Sequence, residues 1–97
     1  PGTGVKEINN FSEYEIKNYP NPFTETTVIS FTNPKSGDVK LAIYDSFGRT
    51  LEILFDDKMQ AGSHEIEWDA SNYSAGIYFY RITIGNFSTT RKLILNK

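Results

Sequence analysis

The feature that most constrains this chain is a period of two, restarted again and again by turn-forming residues. Along "DVKLAIYD", Asp38 to Asp45, apolar Val39, Leu41 and Ile43 alternate with Lys40 and Ala42. Successive side chains of an extended chain point to opposite faces, so the segment reads as a strand with one buried face. "DSFG", Asp45 to Gly48, then turns the chain, with Asp first and a glycine where left-handed backbone is needed. Alternation resumes in "RTLEILF", which places Leu51, Ile53 and Phe55 on one face, and "DDKMQAGS" follows as a loop. "HEIEWDA" puts His64, Ile66 and Trp68 on one side and Glu65, Glu67 and Asp69 on the other. "IYFYRITI", Ile77 to Ile84, is apolar on both faces at its start and fits a central strand. Gly85-Asn86 is a two-residue hairpin signal, and "FSTTRKLIL", Phe87 to Leu95, is the last strand. Upstream, "TTVISFT" sets Ile29 and Phe31 against Val28 and Ser30, and "FSEYEIK", Phe11 to Lys17, is expected to be the first strand.

Seven short strands with turns every ~8–12 residues predict an all-β, seven-stranded antiparallel immunoglobulin-like β-sandwich. The corner "NYPNPF" interrupts the pattern. Pro20 and Pro22 fix φ and offer no N–H, and each pushes the residue before it to extended geometry. Asn18 and Asn21 favour turns. The corner is expected to set the direction of the chain where it passes from one sheet to the other, and to deny donors to unwanted pairing. Residues 1–10, opening "PGTG", read as a linker or a remnant of a parent chain, and residues 11–97 as one domain.

Bulk properties exclude several functions. A net charge of −2 without a basic stripe argues against nucleic acid as a partner. With no cysteine, neither disulfides nor thiolate zinc sites are available, and the fold must stand on packing. No apolar run approaches the ~20 residues of a membrane-spanning helix. The chain does not open with a signal peptide, so an exported form is expected to be a piece of a longer protein.

Catalysis would need a nucleophile with a base, a placed carboxylate pair or a metal cluster. His64 is the only histidine and is expected at the rim of the core. Glu65, Glu67 and Asp69 alternate along an outer strand face, the pattern of solvated charge rather than a calcium loop, and Asp56-Asp57 completes no D-x-D-x-D-G run. Trp68 alternates inward with Ile66, which suits a core anchor better than a sugar platform. Tyr78 and Tyr80 share a face with Ile82 and Ile84 and are expected in the core with their hydroxyls at its edge. Ile77 and Phe79 lie on the other face; left open they form an apolar patch of the kind that marks a partner site, and covered they do not. The expectation is a non-enzyme without cofactors or metals.

The order of the punctuation is the most specific signal: "YPNPF", "TTVISF", "VKLAIYDSFGR", "AGSHEIEWDA", "SAGIYFYRI" and "RKLILNK". This succession resembles the type A C-terminal sorting domain of type IX secretion system (Por secretion system) cargo from Bacteroidetes-group bacteria, over about residues 16 to 97. The residues that carry the resemblance are Pro20, Asn21, Pro22, Tyr44, Asp45, Gly48, Trp68, Gly76, Tyr78, Tyr80 and Arg81, and their roles are read as mainly structural. Asn33 stands where family members commonly have an apolar residue, and is expected to shorten the second strand by one residue. Ala70 stands where they often have glycine after W-D.

The resemblance implies an address rather than a catalyst. A cargo domain on the N-terminal side would cross the periplasm in transit, engage the type IX translocon and its outer-membrane β-barrel shuttle, and finish at the cell surface or outside the cell. A surface sortase would remove the domain upstream of the first strand. Arg91, Lys92, Leu93, Ile94, Leu95 and Lys97 are the candidate recognition residues, on a closing strand expected to offer its backbone for edge pairing and its charges for steering. The same charges also serve as gatekeepers of an edge strand. A second reading is an accessory immunoglobulin-like module, carbohydrate-binding or spacing, of an extracellular enzyme. A third is a structural assembly domain like that of flagellar hook-cap proteins.

Overall fold

A computed structural model of the chain describes residues 13–97. Its strands are β1 (Lys17–Tyr19), β2 (Thr26–Asn33), β3 (Gly37–Asp45), β4 (Thr50–Met59), β5 (Gly62–Asp69), β6 (Gly76–Ile84) and β7 (Phe87–Leu95). They form a three-stranded sheet in the order β1-β2-β5 and a four-stranded sheet in the order β4-β3-β6-β7. Every strand pair is antiparallel. This is the all-β, immunoglobulin-like sandwich that the alternation predicts.

The core follows from the same period. Ile29 and Phe31 of β2 and Trp68 of β5 meet Val39, Leu41 and Ile43 of β3, Tyr78, Tyr80, Ile82 and Ile84 of β6, and Leu93 and Leu95 of β7. Each fully buried aliphatic side chain contributes about 1.5–3 kcal/mol relative to exposure. Tyr78 and Tyr80 keep their hydroxyls paired at the margin, donating to the Ser74 carbonyl (2.6 Å) and to Asn18 Oδ1 (3.1 Å). Gly48 adopts φ +87°, the left-handed geometry expected at the end of the β3–β4 turn.

Several local expectations are corrected. The first strand is Lys17–Tyr19 rather than Phe11–Lys17, and Phe11, like the linker assigned to residues 1–10, lies outside the described residues. β4 runs on through Asp56, Asp57, Lys58 and Met59, which pair with Lys40, Val39, Asp38 and Gly37. As an edge strand β4 tolerates a charged stretch that reads as a loop. The β3–β4 ladder also slips twice, between Leu41 and Ala42 and between Ile43 and Tyr44. Each slip adds a residue to β4, and the extra residues, Leu54 and Leu51, pack against the core. Ile53, expected inward, is therefore turned out and 54% exposed.

Asn33 does not shorten β2. It is the last residue of the strand, 1% exposed, and donates through Nδ2 to the carbonyls of Met59 (3.0 Å) and Gln60 (3.2 Å). A buried amide is acceptable there because its donor binds the short turn between β4 and β5. The two prolines do not mark a change of sheet either, since β1 and β2 lie side by side in one sheet. Both X-Pro bonds, Tyr19-Pro20 and Asn21-Pro22, are cis.

Candidate functional site

Of the candidate recognition residues, Arg91 to Leu95 occupy the C-terminal half of β7, which pairs with β6 along its length on one side, and Lys97 follows the strand. The strand divides them by parity. Leu93 and Leu95 are 0% and 2% exposed and belong to the core. Lys92 is exposed and Ile94 half-buried on the outer face of the sheet. Arg91 is half-buried and donates from a guanidinium nitrogen to the Ile16 carbonyl (3.2 Å). Lys97 donates through Nζ to the Ser71 carbonyl (2.7 Å). In the folded domain, then, a partner meets Lys92, Ile94, Lys97 and part of Arg91 from outside.

The outer edge of β7 is not open for strand pairing along this half. Asn21 accepts from the Ile94 N–H through Oδ1 (2.9 Å) and donates through Nδ2 to the Lys92 carbonyl (3.1 Å). Two residues further on, the Phe23 N–H donates to the Ile94 carbonyl (3.0 Å), and the Asn96 N–H donates to the Phe23 carbonyl (2.7 Å). Phe23 thereby forms a parallel bridge with Leu95. One primary amide and one backbone unit occupy the Lys92 carbonyl, both polar groups of Ile94, and the N–H of Asn96. Phe23 fixes the cap: it is 2% exposed and its ring lies 5.8 Å from that of Trp68. Thr27 adds a bond from its hydroxyl to the Pro20 carbonyl (2.8 Å). The proline corner leaves the three-stranded sheet, closes the edge of the last strand in the other sheet, and returns. The expectation of a freely offered closing edge fails from Lys92 to Asn96.

Several residues of the motif series make contacts that hold the fold together. Asp45 Oδ1 accepts from the N–H groups of Phe47 (2.9 Å) and Arg49 (3.0 Å), and Oδ2 accepts from Arg49 Nε (2.7 Å). These bonds, led by the one from the Arg49 backbone, hold the Asp45 carboxyl below the usual carboxylate range against an opposing effect of desolvation. Trp68 is fully buried and tilts against Tyr73 and Tyr78, with centroids at 5.5 and 5.6 Å. That burial removes it as a sugar platform. Gly76 opens β6 opposite Leu95, and Tyr44 stands beside Phe79 on the outer face.

A family model for the secretion system C-terminal sorting domain matches residues 17–96. The chain belongs to this family. No curated protein matches it. The sorting domain is a signal for type IX secretion: it interacts with the type IX secretion machinery and directs export to the cell surface or the extracellular space.

The sorting domain's other sequence candidates lie at the core rim and on outer strand faces. His64 lies half-buried at the core rim, its ring 5.8 Å from that of Phe31. Its Nε2 is 2.8 Å from the Gln60 carbonyl, an acceptor only, so this nitrogen carries the proton. Glu65 and Glu67 are exposed on β5, and Asp69 Oδ1 accepts from the Ser71 N–H (3.0 Å). On the outer face of the four-stranded sheet Ile77 is 46% exposed and Phe79 half-buried, so the apolar patch left open by the sequence is present.

Sequence reasoning missed the part played by Asn21 and Phe23. The bonds of Asn21 span more than seventy residues, and no local pattern announces a side chain that imitates a strand. The available signal was the corner itself: two prolines that supply no N–H, followed by an aromatic residue with no alternating partner.

Proposed function

We propose that this domain is a non-catalytic export address, read as a folded body by the translocon and its outer-membrane β-barrel shuttle. Cargo carried on its N-terminal side would pass through the periplasm, and a surface sortase would then sever the domain in the stretch before β1. The observation that carries this reading is the sorting-domain match across residues 17–96. The β7 architecture supports recognition of a folded surface over capture of a loose terminal peptide. Leu93 and Leu95 are locked in the core, and the edge beside them is already paired. A partner that needed those leucines or that edge would first have to dismantle the sandwich.

The test is a fluorescent reporter carrying an N-terminal signal peptide, fused ahead of residues 1–97, in a host that has the type IX route. The full fusion is expected at the surface or in the medium. A fusion lacking Arg91 to Lys97 loses two core leucines and the strand that seats Phe23, and is expected to stop in the periplasm. Export of the truncated fusion at the level of the full one would refute the reading.

A further inference from the structure

The outer face of the four-stranded sheet carries an apolar centre flanked by unpaired positive charge. Phe79 of β6 stands in the ladder between Tyr44 of β3 and Lys92 of β7, and Ile77 stands opposite Ile94. Tyr44, Phe79 and Arg81 line a shallow depression. Arg81 and Lys92 are both exposed. Among the described residues, the one side-chain hydrogen bond of Arg81 runs from Nε to Ser88 Oγ (3.0 Å). Among the described residues the ion pairs are Arg49–Asp45 and Lys58–Asp38, so neither Arg81 nor Lys92 is neutralised. The opposite outer face, on the three-stranded sheet, carries the exposed carboxylates of Glu65 and Glu67. A small net charge of −2 thus conceals an uneven distribution: Lys40, Arg81 and Lys92 against Asp56 on this face, and Glu65, Glu67 and Asp69 against Lys17 on the other.

We infer that the outer face centred on Phe79 is the surface through which the domain docks on a protein partner, whose matching patch is apolar at its centre and carries carboxylates opposite Arg81 and Lys92. This rests on the sorting-signal reading and adds to it the face used and the chemistry of the receptor. Aromatic residues and Arg are the types enriched at the centres of protein interfaces, and a flat sheet face needs no rearrangement to be covered. Arg81, Lys92 and Lys40, the last beside Asp56 in the β3–β4 ladder, are too few for a lipid surface, where recognition takes clusters of about 4–8 Lys or Arg. A second copy offering its Glu65 and Glu67 face would add head to tail without closing, which builds filaments rather than a defined complex.

The experiment compares three forms of the reporter fusion in the same host: unchanged, Arg81→Glu with Lys92→Glu, and Glu65→Lys with Glu67→Lys. All four residues are exposed, and folding is checked by the thermal midpoint of each purified fusion. The docking-face reversal is expected to cut the exported fraction about tenfold or more, because it sets like charges against the receptor's carboxylates. The opposite-face reversal is expected to export normally. Should the reversal disturb the ladder, Arg81→Gln with Lys92→Gln adds no carboxylate and is expected to give a smaller loss in the same direction, while Arg81→Lys with Lys92→Arg keeps export. Normal export of the folded docking-face variants overturns the inference, as does an equal loss from the opposite face. Two further results also overturn it. One is cosedimentation of the unchanged domain, but not the reversed one, with phosphatidylcholine–phosphatidylglycerol vesicles; the other is Arg81- and Lys92-dependent self-association by light scattering. If the unchanged fusion itself stays inside, the sorting reading falls first, which separates the two failures.

Discussion

Replacing Asn21 by alanine tests the cap on β7 in isolation. The side chain makes two hydrogen bonds to backbone more than seventy residues away and touches no charged group through them. A hydrogen bond of this kind contributes about 0.5–1.5 kcal/mol net, and both are solvent-exposed, so water replaces part of what is lost. The expected cost of Asn21→Ala is about 1–2 kcal/mol in urea unfolding, or roughly 5–10 °C in thermal midpoint for a domain of this size. Amide hydrogen exchange localises the effect. The Ile94 N–H loses its acceptor and should exchange about 5–30-fold faster, whereas Leu93 and Leu95, paired with Tyr78 and Gly76, should change no more than the global stability does. Asn21→Asp keeps the oxygen that serves Ile94 but loses the donor to the Lys92 carbonyl. It should preserve Ile94 protection while still losing stability. Unchanged stability in Asn21→Ala, with Ile94 exchanging as in the unaltered protein, would refute the cap.

Three further outcomes check other parts of the account. Ile53→Thr should alter stability by no more than about 0.5 kcal/mol, since the slipped ladder turns Ile53 outward; a loss of 2 kcal/mol or more in urea unfolding would restore unbroken alternation along β4. Asn33→Leu should cost about 1–3 kcal/mol despite its apolar gain, because the Met59 and Gln60 carbonyls lose their donor; calorimetry reads it. Burial pushes the Tyr80 hydroxyl up to about 12, with Arg91 drawing it part of the way back. Its ordinary value in an unfolded chain is about 10, so the folded state holds this proton more tightly, and its contribution is whole below pH 10 and lost as pH rises toward 12. Tyr80→Phe should flatten the alkaline limb of the stability curve by roughly 2 kcal/mol, allowing for some solvent relief at the sandwich margin.

The parts of the fold that could be read from sequence are those where one face is buried along the whole element. In β3, Val39, Leu41 and Ile43 alternate without a break, and in β6 the run from Tyr78 to Ile84 does the same, so both strands and their core faces followed from period two. The edges resisted for opposite reasons. β4 carries Asp56, Asp57 and Lys58 because its free side faces solvent, and its slips depend on pairing with β3 rather than on its own residues. β1 is three residues long, too short for a period to show. At the candidate site the identity of the closing strand was legible, but Leu93 and Leu95, read as recognition residues, turn out to be buried in the core. The occupant of its edge was not, because Asn21 acts through a contact that only the assembled sandwich creates.

The most direct measurement of the central claim is where the reporter fusion accumulates in two otherwise identical hosts, one with an intact type IX apparatus and one without it. With the apparatus, reporter joined to residues 1–97 should reach the surface or medium; without it, the same fusion should remain inside the outer membrane. Equal amounts outside both hosts would contradict the account.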